Sequence, residues 1–115
     1  MSRYIKLLPG ERFSLADVSL ETAGRFAIEL GSGETEGILI DCTRWLDAAT
    51  ITSAASLDAF ISLSTTSPDI TATIDGADSR QDGKITITAS DGRARIVRIA
   101  TMQREAELLG IEDYY

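Results

Sequence analysis

The sequence predicts an all-β fold, an antiparallel β-sandwich, on three observations. First, apolar and hydroxyl residues alternate with period two. Ile70, Ala72 and Ile74 interleave with Thr71 and Thr73, and Ile85, Ile87 and Ala89 interleave with Thr86 and Thr88. Successive side chains of a strand point to opposite faces, so this pattern sends isoleucine to a core and threonine to water. Second, turn chemistry separates the runs, most clearly at Ser90-Asp91-Gly92. Third, the runs recur at roughly 10–15-residue spacing, a rhythm of sandwiches rather than of βαβ units.

Taken in order, Tyr4–Leu8 reads as a strand, Pro9-Gly10 as a turn, and Phe26, Ile28 and Leu30 as one face of another strand. Gly31-Ser32-Gly33 reads as a flexible joint. These short pieces bury little alone, so residues 1–35 are expected to form an N-terminal arm or hairpin extension on a sandwich spanning 36–102. Within the sandwich, Gly37–Asp41 is a short strand apolar on both faces. Thr50–Ala55 is a strand of small residues, and Phe60–Ser64 is a strand ending near the turn Ser67-Pro68-Asp69. Asp82-Gly83 is expected to turn the chain into a strand over 84–89. Asp91-Gly92 then folds it back into 93–100 as a hairpin, since both residues tolerate the positive φ of a type I′ turn. The 93–100 strand changes face partway, with Ala94 and Ile96 on one side and Val97 and Ile99 on the other. Either both faces are covered at that end or a β-bulge resets the register, and burial of both faces by a neighbour is the favoured expectation. Met102 to Leu109 holds good helix formers with Gly110 after them, so residues 103–115 are expected to be a short helix and tail.

The whole chain sets further bounds. Its 115 residues suit one domain. A lone cysteine, Cys42, excludes an intramolecular disulfide and fits synthesis in a reducing cytosol. A formal charge of −7 opposes nucleic acid, whose binding rests on phosphate neutralisation. The strip Lys84, Arg93, Arg95 and Arg98 reads as a solvated strand face balancing nearby acids. No apolar run approaches the roughly 18 residues of a membrane helix, so no membrane partner is expected. The stretch Tyr4–Leu8 is too short for a signal-peptide core, which points to the cytoplasm before assembly or release.

Catalytic chemistry finds few residues to use. The chain has no histidine, which removes Ser-His-Asp and Cys-His arrangements and the commonest general base. One cysteine and no histidine cannot build a tetrahedral zinc shell. Asp75, Asp78 and Asp82 share a polar loop but lack the ligand spacing of an EF-hand, so it reads as a solvated hairpin-like loop, with an irregular calcium site as its other reading. Gly31-Ser32-Gly33-Glu34-Thr35-Glu36-Gly37 has two glutamates that would repel phosphate. Glu34 with Glu36, and Glu105 with Glu107, read as solvated carboxylates. Neither a cofactor nor a metal is expected, and the chain is not read as an enzyme. Trp45 reads as a core residue beneath the opposite sheet, with sugar stacking or partner binding as its other reading.

The stretch Ile38-Leu39-Ile40-Asp41-Cys42-Thr43-Arg44-Trp45-Leu46-Asp47-Ala48-Ala49-Thr50-Ile51-Thr52-Ser53-Ala54 resembles a recurring phage and prophage pattern. In it an acidic residue ends a short strand, a Trp-Leu pair follows, and a Thr-Ile-small-Ser strand comes next. Ile85-Thr86-Ile87-Thr88-Ala89-Ser90-Asp91-Gly92-Arg93 resembles the final hairpin of the same family. These are small immunoglobulin-like virion structural proteins, and the resemblance covers residues 37 to 101. Ala77–Asp82 stands where that pattern has a Gly-Gly turn.

The resemblance implies an immunoglobulin-like sandwich and a structural subunit of a tailed-phage virion: capsid decoration, neck or tail accessory protein. Its partners would be other virion proteins, with the chain homo-oligomeric or present in many copies. Tyr4, Ile5, Leu7 and Phe13 from the arm, and Leu108, Leu109, Tyr114 and Tyr115 from the tail, are the expected partner contacts. They could instead close the chain's own sandwich. The alternative function is a carbohydrate- or host-surface-binding module with Trp45 exposed beside the loops at one end.

Overall fold

The computed structural model describes residues 3–10, 12–16, 18–20 and 25–102. In chain order its elements are β1 (Arg3–Leu7), β2 (Phe13–Ala16), β3 (Ser19–Leu20), β4 (Arg25–Glu29) and β5 (Thr35–Asp41). The short helix α1 (Thr43–Leu46) follows, then β6 (Ile51–Ala55), β7 (Ile61–Thr66), β8 (Asp69–Asp75), β9 (Gln81–Ala89) and β10 (Ala94–Met102). Among the described residues the strands form two five-stranded sheets, ordered β2-β1-β5-β8-β7 and β3-β4-β10-β9-β6. One buried cluster draws side chains from both sheets. The expected all-β character is therefore present.

Alternation builds that core. Ile70, Ala72 and Ile74 of β8 are buried between flanking threonines, as are Ile85, Ile87 and Ala89 of β9. Ile38 and Ile40 of β5 continue the layer, while Leu39 faces outward. The strand expected to be apolar on both faces is thus a half-buried one. Burying an isoleucine or leucine contributes about 1.5–3 kcal/mol, which makes this face the main source of stability.

The first 35 residues are not a separate arm. β1 and β2 join one sheet, and β3 and β4 join the other. β1 runs parallel to β5, placing Ile5 beside Ile40, and β4 runs parallel to β10, placing Phe26 beside Ile99. Both sheets are consequently mixed, not antiparallel. A parallel neighbour needs a crossover connection, and the chain supplies one each time by passing through the opposite sheet. Gly31-Ser32-Gly33, expected as a flexible joint, is a hydrogen-bonded turn. Gly31 N–H donates to the Glu34 carboxylate at 2.6 Å, and Glu34 N–H donates to Gly31 O at 3.2 Å.

Four further expectations are corrected. β10 keeps strict alternation through Arg98 and pairs with β9 in one unbroken register, so no bulge occurs there, and both faces are buried only beyond it, at Ile99, Ala100 and Thr101. Ile96 points to water and Arg95 points inward, the reverse of what their polarity suggests. The hairpin turn is not type I′, because of its loop residues only Gly92 has positive φ, at 92°. Gly92 N–H donates to Ala89 O at 3.0 Å and Ala89 N–H to Arg93 O at 2.8 Å, the three-residue loop that ends on a left-handed residue. Asp82-Gly83 is not a turn but part of β9. A side chain at Gly83 would press on Phe60 and the Asp58 carboxylate at 2.8–2.9 Å, so the glycine marks a close approach. Met102 ends β10 and does not begin a helix; the helix and tail expected over 103–115 lie outside the described residues.

Candidate functional site

The expected contact residues divide by location. Ile5 and Leu7 are fully buried in the chain's own core, since β1 lies inside a sheet rather than beyond one. They are unavailable to a partner. Phe13 packs against that core, its ring edge-on to Phe26 at 4.6 Å between centroids. Tyr4 is half-buried on β1, with the Lys6 ammonium 5.5 Å from its ring centroid. Leu108, Leu109, Tyr114 and Tyr115 lie outside the described residues. The eight are therefore not gathered into one surface.

Trp45 is buried, at 6% exposure, on α1 rather than on a strand. Asp41, the last residue of β5, leads into this helix, its carboxylate accepting from Thr43 N–H at 3.0 Å and Thr43 Oγ1 at 2.6 Å. Those bonds hold the Asp41 carboxyl below its ordinary 3.8. Arg93 closes the other end of the helix, donating to Trp45 O at 2.7 Å and Leu46 O at 3.0 Å, and lying 5.0 Å from the Trp45 ring centroid. The indole face offered to a sugar in the alternative function is thus covered. That module loses its key residue, because Arg93 satisfies the orphan carbonyls of the helix end and seals the ring in the process.

Cys42 is buried beside Trp45, and burial pushes its thiol up to about 12, with Asp41 and Asp69 adding to the effect. A thiol so neutral is a packing group, not a nucleophile. Arg95, expected on a solvated strip, is buried on the opposite face. It donates to Leu8 O and Arg12 O, both at 2.7 Å, and its guanidinium lies 4.5 Å from the Phe13 ring centroid. Of the four cations in that strip, only Lys84 and Arg98 sit opposite each other in register, with Arg25 opposite Arg98 on its other side. Among the described residues no group of three or more His, Cys, Asp or Glu side chains could hold a metal ion.

What remains as a candidate site is one side of the molecule that sequence reading passed over. β6 ends one sheet and β7 ends the other, and the chain runs directly from one to the other. Between Thr50 and Pro68 the sequence has a single charged residue, Asp58, in a chain with 29 of them (11 basic and 18 acidic). Thr52, Ser53, Ala55, Ser62, Ser64 and Thr66 are exposed along it. Leu57 is fully exposed at the connection.

Hydrogen bonds fix the backbone that follows that leucine. The Asp58 carboxylate accepts from Lys84 N–H at 2.9 Å, and Ser56 Oγ accepts from Asp58 N–H at 3.2 Å. Ile61 N–H donates to Asp58 O at 3.0 Å. Gly83 leaves the space that lets Asp58 and Phe60 approach β9. Beside Leu57 lies an open depression of about 390 Å³, lined in part by Arg25, Asp58, Asp82, Lys84 and Arg98. A fully exposed leucine on a hydrogen-bonded backbone next to a charged hollow suits docking, because little backbone entropy is left to lose on contact.

No protein-family model matches this chain, and no curated protein matches it. The side built by β6, β7 and Leu57 thus has to be interpreted from its own physical chemistry. The signal for it was present in the sequence, as the near absence of charge from Thr50 to Pro68 against a net charge of −7.

Proposed function

We propose that this chain is a non-enzymatic structural subunit of a tailed-phage particle that acts by docking onto other virion proteins. The observation that carries the reading is the uncharged side with Leu57 held fully exposed on a hydrogen-bonded connection. Exposing a leucine costs about 1.5–3 kcal/mol relative to burying it. A mounted, solvent-facing leucine therefore has most to gain from a partner that covers it.

The resemblance over 37 to 101 supports the virion setting and an immunoglobulin-like pattern. Its two end motifs fall in β5 with α1 and in the β9–β10 hairpin. A head, neck or tail position would each use such a side. The expected route is assembly from the host cytoplasm into the particle, and the tail segment 103–115 is proposed as a second contact.

Mass spectrometry of purified particles from cells carrying the gene tests the reading. The expected result is the chain in the particle at a fixed stoichiometry to the major structural proteins. Recovery solely in the soluble host fraction, with none in particles, would overturn it.

A further inference from the structure

Among the described residues four strands end the two sheets, and three of them have features that discourage pairing with another chain. β3 has two residues, and β2 has four with Arg12 immediately before it. β6 shifts register against β9 between Ile51 and Ser53, an irregularity that turns its free edge. β7 differs from all of them. It has six residues, an unbroken ladder with β8, and no charge anywhere from Ala59 to Pro68. A long, regular, uncharged edge is a template for a further strand.

The ladder says which groups face outward. Asp75 N–H donates to Phe60 O at 2.9 Å, making these two a hydrogen-bonded pair. Alternation then turns the backbone groups of Ser62, Ser64 and Thr66 toward β8, and those of Ile61, Leu63 and Thr65 away from it. Asp58 O takes the Ile61 N–H. Leu63 and Thr65 face outward from the last strand of the sheet, two residues apart with Ser64 between them.

We propose that β7 pairs with β7 of a second copy of this chain, antiparallel about a two-fold axis at Ser64. In this register Leu63 of each copy exchanges backbone hydrogen bonds with Thr65 of the other. Ser64 meets Ser64, and Ser62 meets Thr66, so hydroxyl opposes hydroxyl on the outer face. The outward-facing groups are symmetric about Ser64, which is what an isologous contact requires. Charge selects the same occupant. A net charge of −7 drives copies apart over most approaches, whereas this register opposes no charge with any other. The pairing deepens the docking reading by naming an occupant, and rests on it only in treating this side as an interface.

Cross-linking tests the register. Across the axis the two Ser64 Cα atoms would lie about 4.5 Å apart, within disulfide reach. The two Ser62 Cα atoms would be offset by four residues, about 13 Å, which is out of reach. Native Cys42 is buried and does not compete. Mild oxidation of Ser64→Cys is expected to give a covalent dimer nearly quantitatively, and Ser62→Cys at least tenfold less of it. Sedimentation equilibrium is expected to give a dimer mass for the unmodified chain, and a monomer for Ser64→Lys whose melt stays cooperative but loses the concentration dependence of the unmodified chain's. A monomeric unmodified chain at high micromolar concentration would overturn the pairing, as would equal cross-linking of the two cysteine variants. A chain that is monomeric yet found in particles sinks the pairing and leaves the docking reading intact. A dimeric chain absent from particles does the reverse.

Discussion

Arg95 sits in the core because two carbonyl oxygens need it there. Leu8 and Arg12 carbonyls lie at the β1–β2 turn, and the guanidinium fork reaches both at 2.7 Å with Phe13 beneath it. Arg95→Leu removes the donors and leaves those carbonyls desolvated. The expected loss is about 3 kcal/mol, read as a lower urea midpoint at unchanged slope. Arg95→Lys keeps the charge but loses the fork, and should fall between the two. Cys42 makes a prediction in pH. Its thiol is raised from 9.0 to about 12 in the folded chain, so between those values the folded state holds a proton that the unfolded state has lost. Stability from this group is complete below pH 9 and falls as pH rises toward 12. Cys42→Ala should flatten that alkaline decline in melting curves taken across the range. A wild-type midpoint constant through it would contradict the burial argument.

At the scale of elements, the decisive case is β1. Four of its five residues, Tyr4 to Leu7, read correctly as a strand from sequence, but their place was not legible, because alternation reports a buried face and not the neighbour that buries it. Only the parallel pairing with β5 assigns Ile5 and Leu7 to the chain's own core. Deleting residues 1–12 should therefore abolish the cooperative melt rather than leave a folded remnant. Survival of that melt would restore the arm. The second half was legible in more detail, since period two, turn residues and alternation all agreed for β8, β9 and most of β10. Where they disagreed, at Arg95 and Ile96, the backbone followed the strand period: Arg95 turned inward to carbonyl partners distant in sequence, and Ile96 was left facing water. Glycine positions sort in the same way. Gly76 packs where an added Cβ would collide with the Gly31 carbonyl oxygen, a backbone atom held by the 31–34 turn. Gly76→Ala is expected to cost about 2 kcal/mol or more in chemical denaturation, far above an ordinary loop substitution.

For the whole molecule, the informative quantity is where charge is absent. Composition alone foretold an anionic surface, yet 50–68 forms a continuous side almost free of charge. The edge strands β6 and β7 and Leu57 fall within it, and while Ile61 and, in part, Ile51, Ala54, Phe60 and Leu63 turn inward to the shared core, Leu57 is fully exposed. Leu57 contributes nothing visible to folding, so its replacement separates docking from stability. Purified particles from cells making the Leu57→Ser variant should hold at least about tenfold less of the chain than wild-type particles. That figure follows from losing about 1.4 kcal/mol or more of apolar contact. The melting temperature should stay unchanged. Incorporation of Leu57→Ser at the wild-type level, with the same melt, would contradict the claim that this side is how the protein works.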